Sequence, residues 1–351
     1  MVVVMQPGAT GAEIELVCQT IEEHGLEVLR MPGNVMAIGI PSAIPPDLRD
    51  PLQQKLEILP GVSKVTQVSR SYKLASREFH PSDTVVTVGG VSFGGPTIQV
   101  IAGPCSIESY EQLKAAATAV RSAGATVLRG GAFKPRTSPY AFQGLAVEGL
   151  QIMKQVGEEV GIRTISEVMS PEMVGVVAEH VDILQIGARS MQNFPLLIEA
   201  GKSDHPVMLK RGPSATIDEF LLAAEYLLSH GNSKVLLCER GVHPLDRGYT
   251  RNTLDLSAVP VLKHHSHLPV VVDPSHGTGF ARYVPAMSCA AVAAGADALM
   301  IEVHPDPRHA LSDAAQALTS EGFADLMKRL QAFAAAVGRP LSGTERYAAA
   351  N

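Results

Sequence analysis

The chain has 351 residues, 46% of them hydrophobic, with no tryptophan and 29 basic against 35 acidic side chains, a formal charge of −6. That length exceeds the about 250 residues of a single (β/α)8 barrel by roughly 90, so a second, small domain is expected. A net acidic chain argues against nucleic acid as a bulk partner, and no apolar stretch reaches the about 18 uncharged residues that would mark a membrane span.

Residues 1–75 form the first predicted unit. VVVM is a short strand, and GAEIELVCQTIEEHG is an amphipathic helix stopped by Gly25. LEVLRM and VMAIGI read as a strand pair turned at Pro32-Gly33-Asn34. PDLRDPLQQKLEIL is a second helix with an internal Pro51, and VSKVTQV is a last strand. The order βαββαβ is the ferredoxin-like split motif, with an oligomerising or a ligand-responsive role as the two readings. Residues 76–95 then read as a charged linker and a hairpin, TVVTVGGVSF, turned at Gly89-Gly90 and placed to plug the N-terminal mouth of a barrel.

From residue 96 to 338, short apolar runs alternate with helical segments such as EQLKAAATAVRSAG and DEFLLAAEYLLSHG. The runs are IQVIAGPC, TVLRGG, TISEV, ILQIGAR, VMLKR, VLLCER, VVVDPSH and ALMIEV. Strand then helix, eight times over, predicts an α/β protein with a closed (β/α)8 TIM barrel, whose chemistry gathers at the C-terminal ends of the strands. Those ends deliver Cys105, Arg129, Glu167, Arg189, Lys210 with Arg211, Glu239 with Arg240, His276 and Glu302. Residues 339–351, RPLSGTERYAAAN, lack periodicity and are expected to fray.

Two clusters emerge from this placement. GGAFKPRTSPYAFQG, residues 130–144, follows the second barrel strand and puts Lys134, Arg136, Thr137 and Ser138 around Pro135 and Pro139. Braced cations and hydroxyls at a catalytic mouth point to a phosphate or carboxylate ligand. Arg189, Lys210, Arg211 and Arg240 add further cations whose mutual repulsion calls for a multiply charged anion, although Glu239 beside Arg240 could serve as structural cement. The second cluster is Cys105, His276, Glu302 and Asp313, from strands one, seven and eight and the segment just beyond. One thiolate, one imidazole and two carboxylates suit a borderline divalent ion, and the set does not choose among manganese, iron, cobalt and zinc. Taken singly, each has a plain structural alternative: Cys105 in the core, Asp313 as an N-cap, Glu302 paired with Lys210. Cys18, Cys238 and Cys289 read as small buried hydrophobes. His264, His265, His267, His304 and His309 read as surface or supporting groups. MVVVMQPGATGAE shows neither a basic n-region nor a cleavage signal, and the four cysteines have no disulfide spacing, which predicts a reducing, cytoplasmic setting.

IAGPCSIES, LRGGAFKPRTSPY, QIGARSMQNF, LKRG, LCERG, TRNTLD, DPSHGTG and EVHP together resemble 3-deoxy-D-arabino-heptulosonate 7-phosphate (DAHP) synthase, in the subtype with an N-terminal ferredoxin-like domain. The resemblance spans nearly the whole chain. It implies condensation of phosphoenolpyruvate with erythrose 4-phosphate, the entry to the shikimate pathway and aromatic amino acids. It implies a metal on Cys105, His276, Glu302 and Asp313, with Mn2+ as the first expectation and Fe2+, Co2+ or Zn2+ as alternatives. Phosphoenolpyruvate would meet Arg129, Lys134, Arg189, Lys210 and Arg240, with Glu167 nearby. Erythrose 4-phosphate would meet Lys134, Pro135, Arg136 and Thr137, with Arg251 as a further contact. Lys134 is the expected proton donor to the developing alkoxide, whereas Glu167 and a metal-bound group both remain open as the base for water. The family also implies a homotetramer and feedback by tyrosine or phenylalanine. The nearest rival is the sister enzyme that makes 3-deoxy-D-manno-octulosonate 8-phosphate, disfavoured because Pro-Arg-Thr rather than Ala-Asn-Arg follows Lys134. A non-catalytic amino-acid sensor is the reading from another class.

Overall fold

Strands that are apolar along their whole length need cover on both faces, and these obtain it by closing into a barrel sheathed by helices. The structure, a computed structural model, describes residues 1–32, 35–67, 71–134, 138 and 140–343. The packing divides the chain into two units: Met1–Asp83 with His264–His267, and Thr84–Lys263 with Leu268–Asn351.

In the first unit, β1 (Val2–Met5), α1 (Gly11–Glu22), β2 (Leu29–Met31), β3 (Ala37–Gly39), α2 (Pro46–Glu57) and β4 (Val62–Thr66) make a four-stranded antiparallel sheet in the order β2-β3-β1-β4. Thr10 starts α1 through a reciprocal capping box with Glu13, as the sequence Thr-Gly-Ala-Glu allows. Apolar faces of both helices meet the sheet in one core that includes Val3, Met5, Val17, Ile21, Ile38, Leu52 and Leu56. Gly33 and Asn34, the expected turn, lie outside the described residues. The charged segment after β4 packs rather than spans open solvent: Tyr72, Ala75 and Phe79 are buried. A Cβ at Gly39 would lie 1.7 Å from the Phe79 ring, so glycine in β3 makes room for that aromatic.

The second unit opens with the hairpin β5 (Val86–Val88) and β6 (Val91–Phe93), turned at Gly89 (φ 50°) and Gly90 (φ 88°), the left-handed pair that a two-residue hairpin needs. Val86, Val88 and Phe93 pack on Ile101, Val127, Ile165, Ile183 and Met208 at the beginnings of the barrel strands, so the hairpin closes that end. The barrel strands are β7 (Gln99–Gly103), β8 (Val127–Arg129), β9 (Arg163–Val168), β10 (Ile183–Ile186), β11 (Val207–Lys210), β12 (Val235–Glu239), β13 (Val270–Val272) and β14 (Ala298–Glu302), all parallel and closed by β14 on β7. Between and after them come α3 (Tyr110–Ser122), α4 (Ala146–Val160), α5 (Val174–Ala178), α6 (Phe194–Lys202), α7 (Ile217–Ser229), α8 (Ala258–His265), α9 (Pro274–Thr278), α10 (Val284–Ala293) and α11 (Ser320–Ala336). Among the described residues no helix is long and apolar enough to cross a membrane.

One expectation is corrected. Residues 339–343 do not fray: Ile98 N–H donates to Pro340 O, Leu341 bridges Ile98, and Arg339 is ion-paired with buried Asp297 at 2.8 Å. A backbone bridge and one ion pair hold a stretch that has no periodicity to announce it. Residues 344–351 lie outside the described residues.

Candidate active site and metal centre

Because the strands are parallel and in register, their last residues share one rim. Arg129, Lys210, Glu239 and Glu302 each end a strand there, and Cys105, Arg189, Arg240 and His276 follow within a few residues. Arg129, Lys134, Glu167, Arg189, Lys210, Arg240, Arg251, His276 and Asp313 line a single cleft of about 320 Å³. Pro135, Arg136 and Thr137 lie outside the described residues.

At its floor, one ligand atom each from Cys105, His276, Glu302 and Asp313 lies within 4.8 Å of the others. Cys105 Sγ is 3.1 Å from Asp313 Oδ2, and His276 Nε2 is 3.3 Å from Glu302 Oε1. Asp313 adopts φ 50°, the left-handed region an aspartate tolerates better than most, and in that turn its carboxylate faces Cys105. It makes no cap bond, so the N-cap alternative fails. Glu302 pairs with Arg129 and not with Lys210, which pairs with Asp273 at 2.7 Å.

The protonation pattern suits a cation. Asp273 Oδ2 lies 2.7 Å from His276 Nδ1, which assigns the ring proton to Nδ1 and leaves the Nε2 lone pair facing the other ligands. Burial lowers the His276 pKa against the pull of Asp273 and Glu302, so the ring is neutral at pH 7. Nε2 and a carboxylate oxygen, both rich in electrons, then face one another. Glu302 Oε1 also lacks a hydrogen bond among the described residues, though it lies in ion-pair range of Arg129. A divalent ion held by these residues would remove the repulsion and complete the carboxylate. Burial, and then Glu302, push the Cys105 thiol up to about 12, so it ionises only when a strong positive charge comes to it. Burial raises Asp313, yet the Cys105 hydrogen bond and Arg251 outweigh it and bring the carboxyl down to about 2. The four residues fit a borderline divalent metal.

Beside them stand the cationic side chains of the cleft. Lys134 Nζ is 3.0 Å from Cys105 Sγ and donates to Cys105 O at 2.9 Å, which places a cation next to the ligand cluster. Burial pulls the Arg240 guanidinium below its usual pKa despite nearby Asp273, a cost that an anionic ligand would offset. Gln185 Nε2 donates to Glu167 Oε2 at 3.2 Å, and a Cβ at Gly187 would lie 2.0 Å from Glu167 Oε1, so the glycine gives this carboxylate its place. Arg211 is not part of the cleft lining. It bonds Glu239 and Asp255, each at 2.9 Å, and cements the rim.

Sequence reasoning missed Asp273, Gln316, Gln185, His243 and Asn252. Asp273 bonds both Lys210 and His276, Gln316 Nε2 donates to Glu302 Oε2 at 2.8 Å, and the other three line the cleft. For Asp273 a signal existed: a carboxylate three residues before a ligand histidine at a helix start. His304, buried, directs Nε2 toward Glu108 Oε2 at 3.4 Å.

Known proteins share much of this sequence and the fold. Residues 80–336 match the DAHP synthetase I family, and residues 1–70 match the DAHP synthase ferredoxin-like domain. The chain belongs to the DAHP synthetase I family. Among the family's curated members, phospho-2-dehydro-3-deoxyheptonate aldolase of Thermotoga maritima is 45% identical over 96% of this chain and 99% of its own length. The crystal structure of that DAHP synthase superposes with a TM-score of 0.77 at 44% identity, covering 97% of this chain and 99% of that one. A truncated form of the same enzyme gives 0.72 and covers 77% of this chain and 98% of its own. A 2-dehydro-3-deoxyphosphooctonate aldolase from Syntrophobacter fumaroxidans is 34% identical over 69% of this chain and 88% of its own length.

Proposed function

We propose that this chain condenses phosphoenolpyruvate with erythrose 4-phosphate and water, giving DAHP and inorganic phosphate. The observation that carries the reading is the juxtaposition, in one cleft, of a four-residue metal cluster and a cationic clamp. Arg129, Lys134, Arg189, Lys210 and Arg240 hold the phosphate and carboxylate of phosphoenolpyruvate and keep its methylene carbon oriented toward the aldehyde, a positioning contribution. Lys134, Pro135, Arg136 and Thr137, with Arg251, receive erythrose 4-phosphate. When bound, the metal supplies Lewis acidity toward the aldehyde oxygen.

The new bond joins the methylene carbon to the aldehyde carbon. Lys134 delivers the proton that turns the aldehyde oxygen into a hydroxyl. Water adds to the cationic carbon that remains, Glu167 takes its proton, and the resulting hemiketal phosphate expels phosphate to leave the ketone. Glu167 suits this part because Gln185 orients it within the cleft.

The finer expectations are Mn2+ as the ion, a cytoplasmic homotetramer, and inhibition by tyrosine or phenylalanine through residues 1–75, supported by the βαββαβ unit there. The experiment is a comparison of phosphate release from phosphoenolpyruvate with erythrose 4-phosphate or arabinose 5-phosphate, with Mn2+ or with EDTA. Metal-dependent turnover on the four-carbon sugar is expected. Preference for arabinose 5-phosphate would transfer the chain to the sister reaction, and no turnover on either would favour a sensor.

A further inference from the structure

The cation-binding and anion-binding halves of the cleft share one carboxylate. Asp273 is 0% exposed, at the start of α9. Its Oδ1 accepts from the His276 backbone N–H at 3.0 Å. Its Oδ2 serves two side chains at once, His276 Nδ1 at 2.7 Å and Lys210 Nζ at 2.7 Å. His276 turns its other nitrogen to the metal cluster, 3.3 Å from Glu302, while Lys210 lines the cleft with Arg129, Arg189 and Arg240.

Two charge-assisted bonds to one oxygen compete for the same electron density. A cation on Nε2 draws density out of the imidazole and makes Nδ1–H a stronger donor. The bond from His276 to Asp273 tightens, the hold of Oδ2 on Lys210 slackens, and Lys210 has more of its charge to offer an anion. In reverse, an anion that engages Lys210 leaves Asp273 to His276, and a more strongly held Nδ1–H makes Nε2 a better metal ligand.

We propose that Asp273 is a positioning residue that couples the two sites, so that a divalent metal and phosphoenolpyruvate tighten each other's binding through its shared Oδ2. This rests on the function proposed above. Linkage requires that the factor be the same measured from either side. Direct attraction between metal and anion would also produce some enhancement, but it survives neutralisation of Asp273, whereas coupling through Oδ2 does not.

The test is calorimetric titration of the full chain with MnCl2, with and without saturating phosphoenolpyruvate, and the converse titration. In the wild-type chain each ligand should strengthen the other about tenfold. In Asp273→Asn the factor should fall below about threefold, with both ligands still binding. An unchanged factor in the variant overturns the proposal, as does independent binding in the wild-type chain. If either ligand fails to bind the wild-type chain, the loss falls on the proposed function instead. Should Asp273→Asn not fold, Lys210→Met and Arg189→Met decide the matter. Each removes one positive charge from the cleft, but only the first releases Asp273 to His276. Mn2+ should bind Lys210→Met several-fold more tightly than Arg189→Met, and equal affinities would refute the coupling.

Discussion

The two ends of the barrel are made by the same eight strands and have opposite characters. At the beginnings of the strands, Val86, Val88 and Phe93 of the hairpin cover Ile101, Val127, Ile165, Ile183 and Met208, all apolar. At the other end, Arg129, Lys210, Arg211, Glu239, Asp273 and Glu302 are buried with their charges matched in pairs. Apolar burial stabilises without specifying geometry, at about 25 cal/mol per Å². Buried ion pairs add little net stability, because desolvation offsets their attraction, but they hold side chains in one arrangement. One end keeps the barrel folded and the other keeps its charges aimed. Damage to each should therefore show in a different measurement.

The largest effect is expected at the apolar end. Phe93→Ala should cost about 3–5 kcal/mol in urea unfolding, with KM for both substrates nearly unchanged. A comparable loss of substrate affinity would erase the distinction between the ends. A buried ionisable group of the first unit, outside the cleft lining, offers a second check. His267, 6% exposed, donates its Nε2–H to Leu74 O over 2.7 Å, and burial brings its pKa from 6.5 to about 4. The folded value lies below the unfolded one, so the stability this neutral ring contributes is complete above pH 6.5 and is lost as pH falls toward 4. The total is roughly 3 kcal/mol. Unfolding midpoints between those pH values should drop in the wild-type chain, and less so in His267→Gln; parallel curves would contradict this.

At the charged end the readout changes. Cys105→Ser should weaken Mn2+ binding by about 100-fold or more, since even a group behind a ligand is worth 10–100-fold, and turnover should fall with it. Its unfolding midpoint without metal should stay near that of the wild-type chain. Normal activity of this variant in metal-stripped buffer would remove Cys105 from the site. Smallest in its effect on turnover is deletion of residues 1–75, which should leave activity within about twofold while abolishing inhibition by tyrosine or phenylalanine, read from rates at saturating effector. Persistent inhibition would place the effector site in the barrel.

Legibility in the sequence followed the same division. The barrel strands were legible because strands buried on both faces are mostly apolar, and TVVTVGGVSF was legible as the plug because two glycines between alternating residues specify a tight hairpin. Cys105, His276, Glu302 and Asp313 could be grouped because each stands at or just beyond a strand end, and the ends of parallel strands meet. Asp273 escaped although it stands only three residues before His276, since nothing local says that its other partner is Lys210, 63 positions away. Arg211 was counted with the clamp for the same reason: adjacency to Lys210 in the chain hides that it turns to Glu239 and Asp255. His267 was read as a surface or supporting group, and the ring is buried in the unit that contains Leu74.

What the sequence determined by itself is therefore the architecture and much of the inventory: the βαββαβ unit, the plugged eightfold barrel, and most of the charged side chains that arrive at its reactive rim. Tertiary structure alone decided how those charges are shared: Glu302 to Arg129, Lys210 and His276 both to Asp273, Arg211 away from the cleft. The reason is range. Hydrophobic period and turn chemistry act over a few residues and leave a trace in the chain, whereas an ion pair depends on which strand ends closure brings together, and that is set only when β14 meets β7.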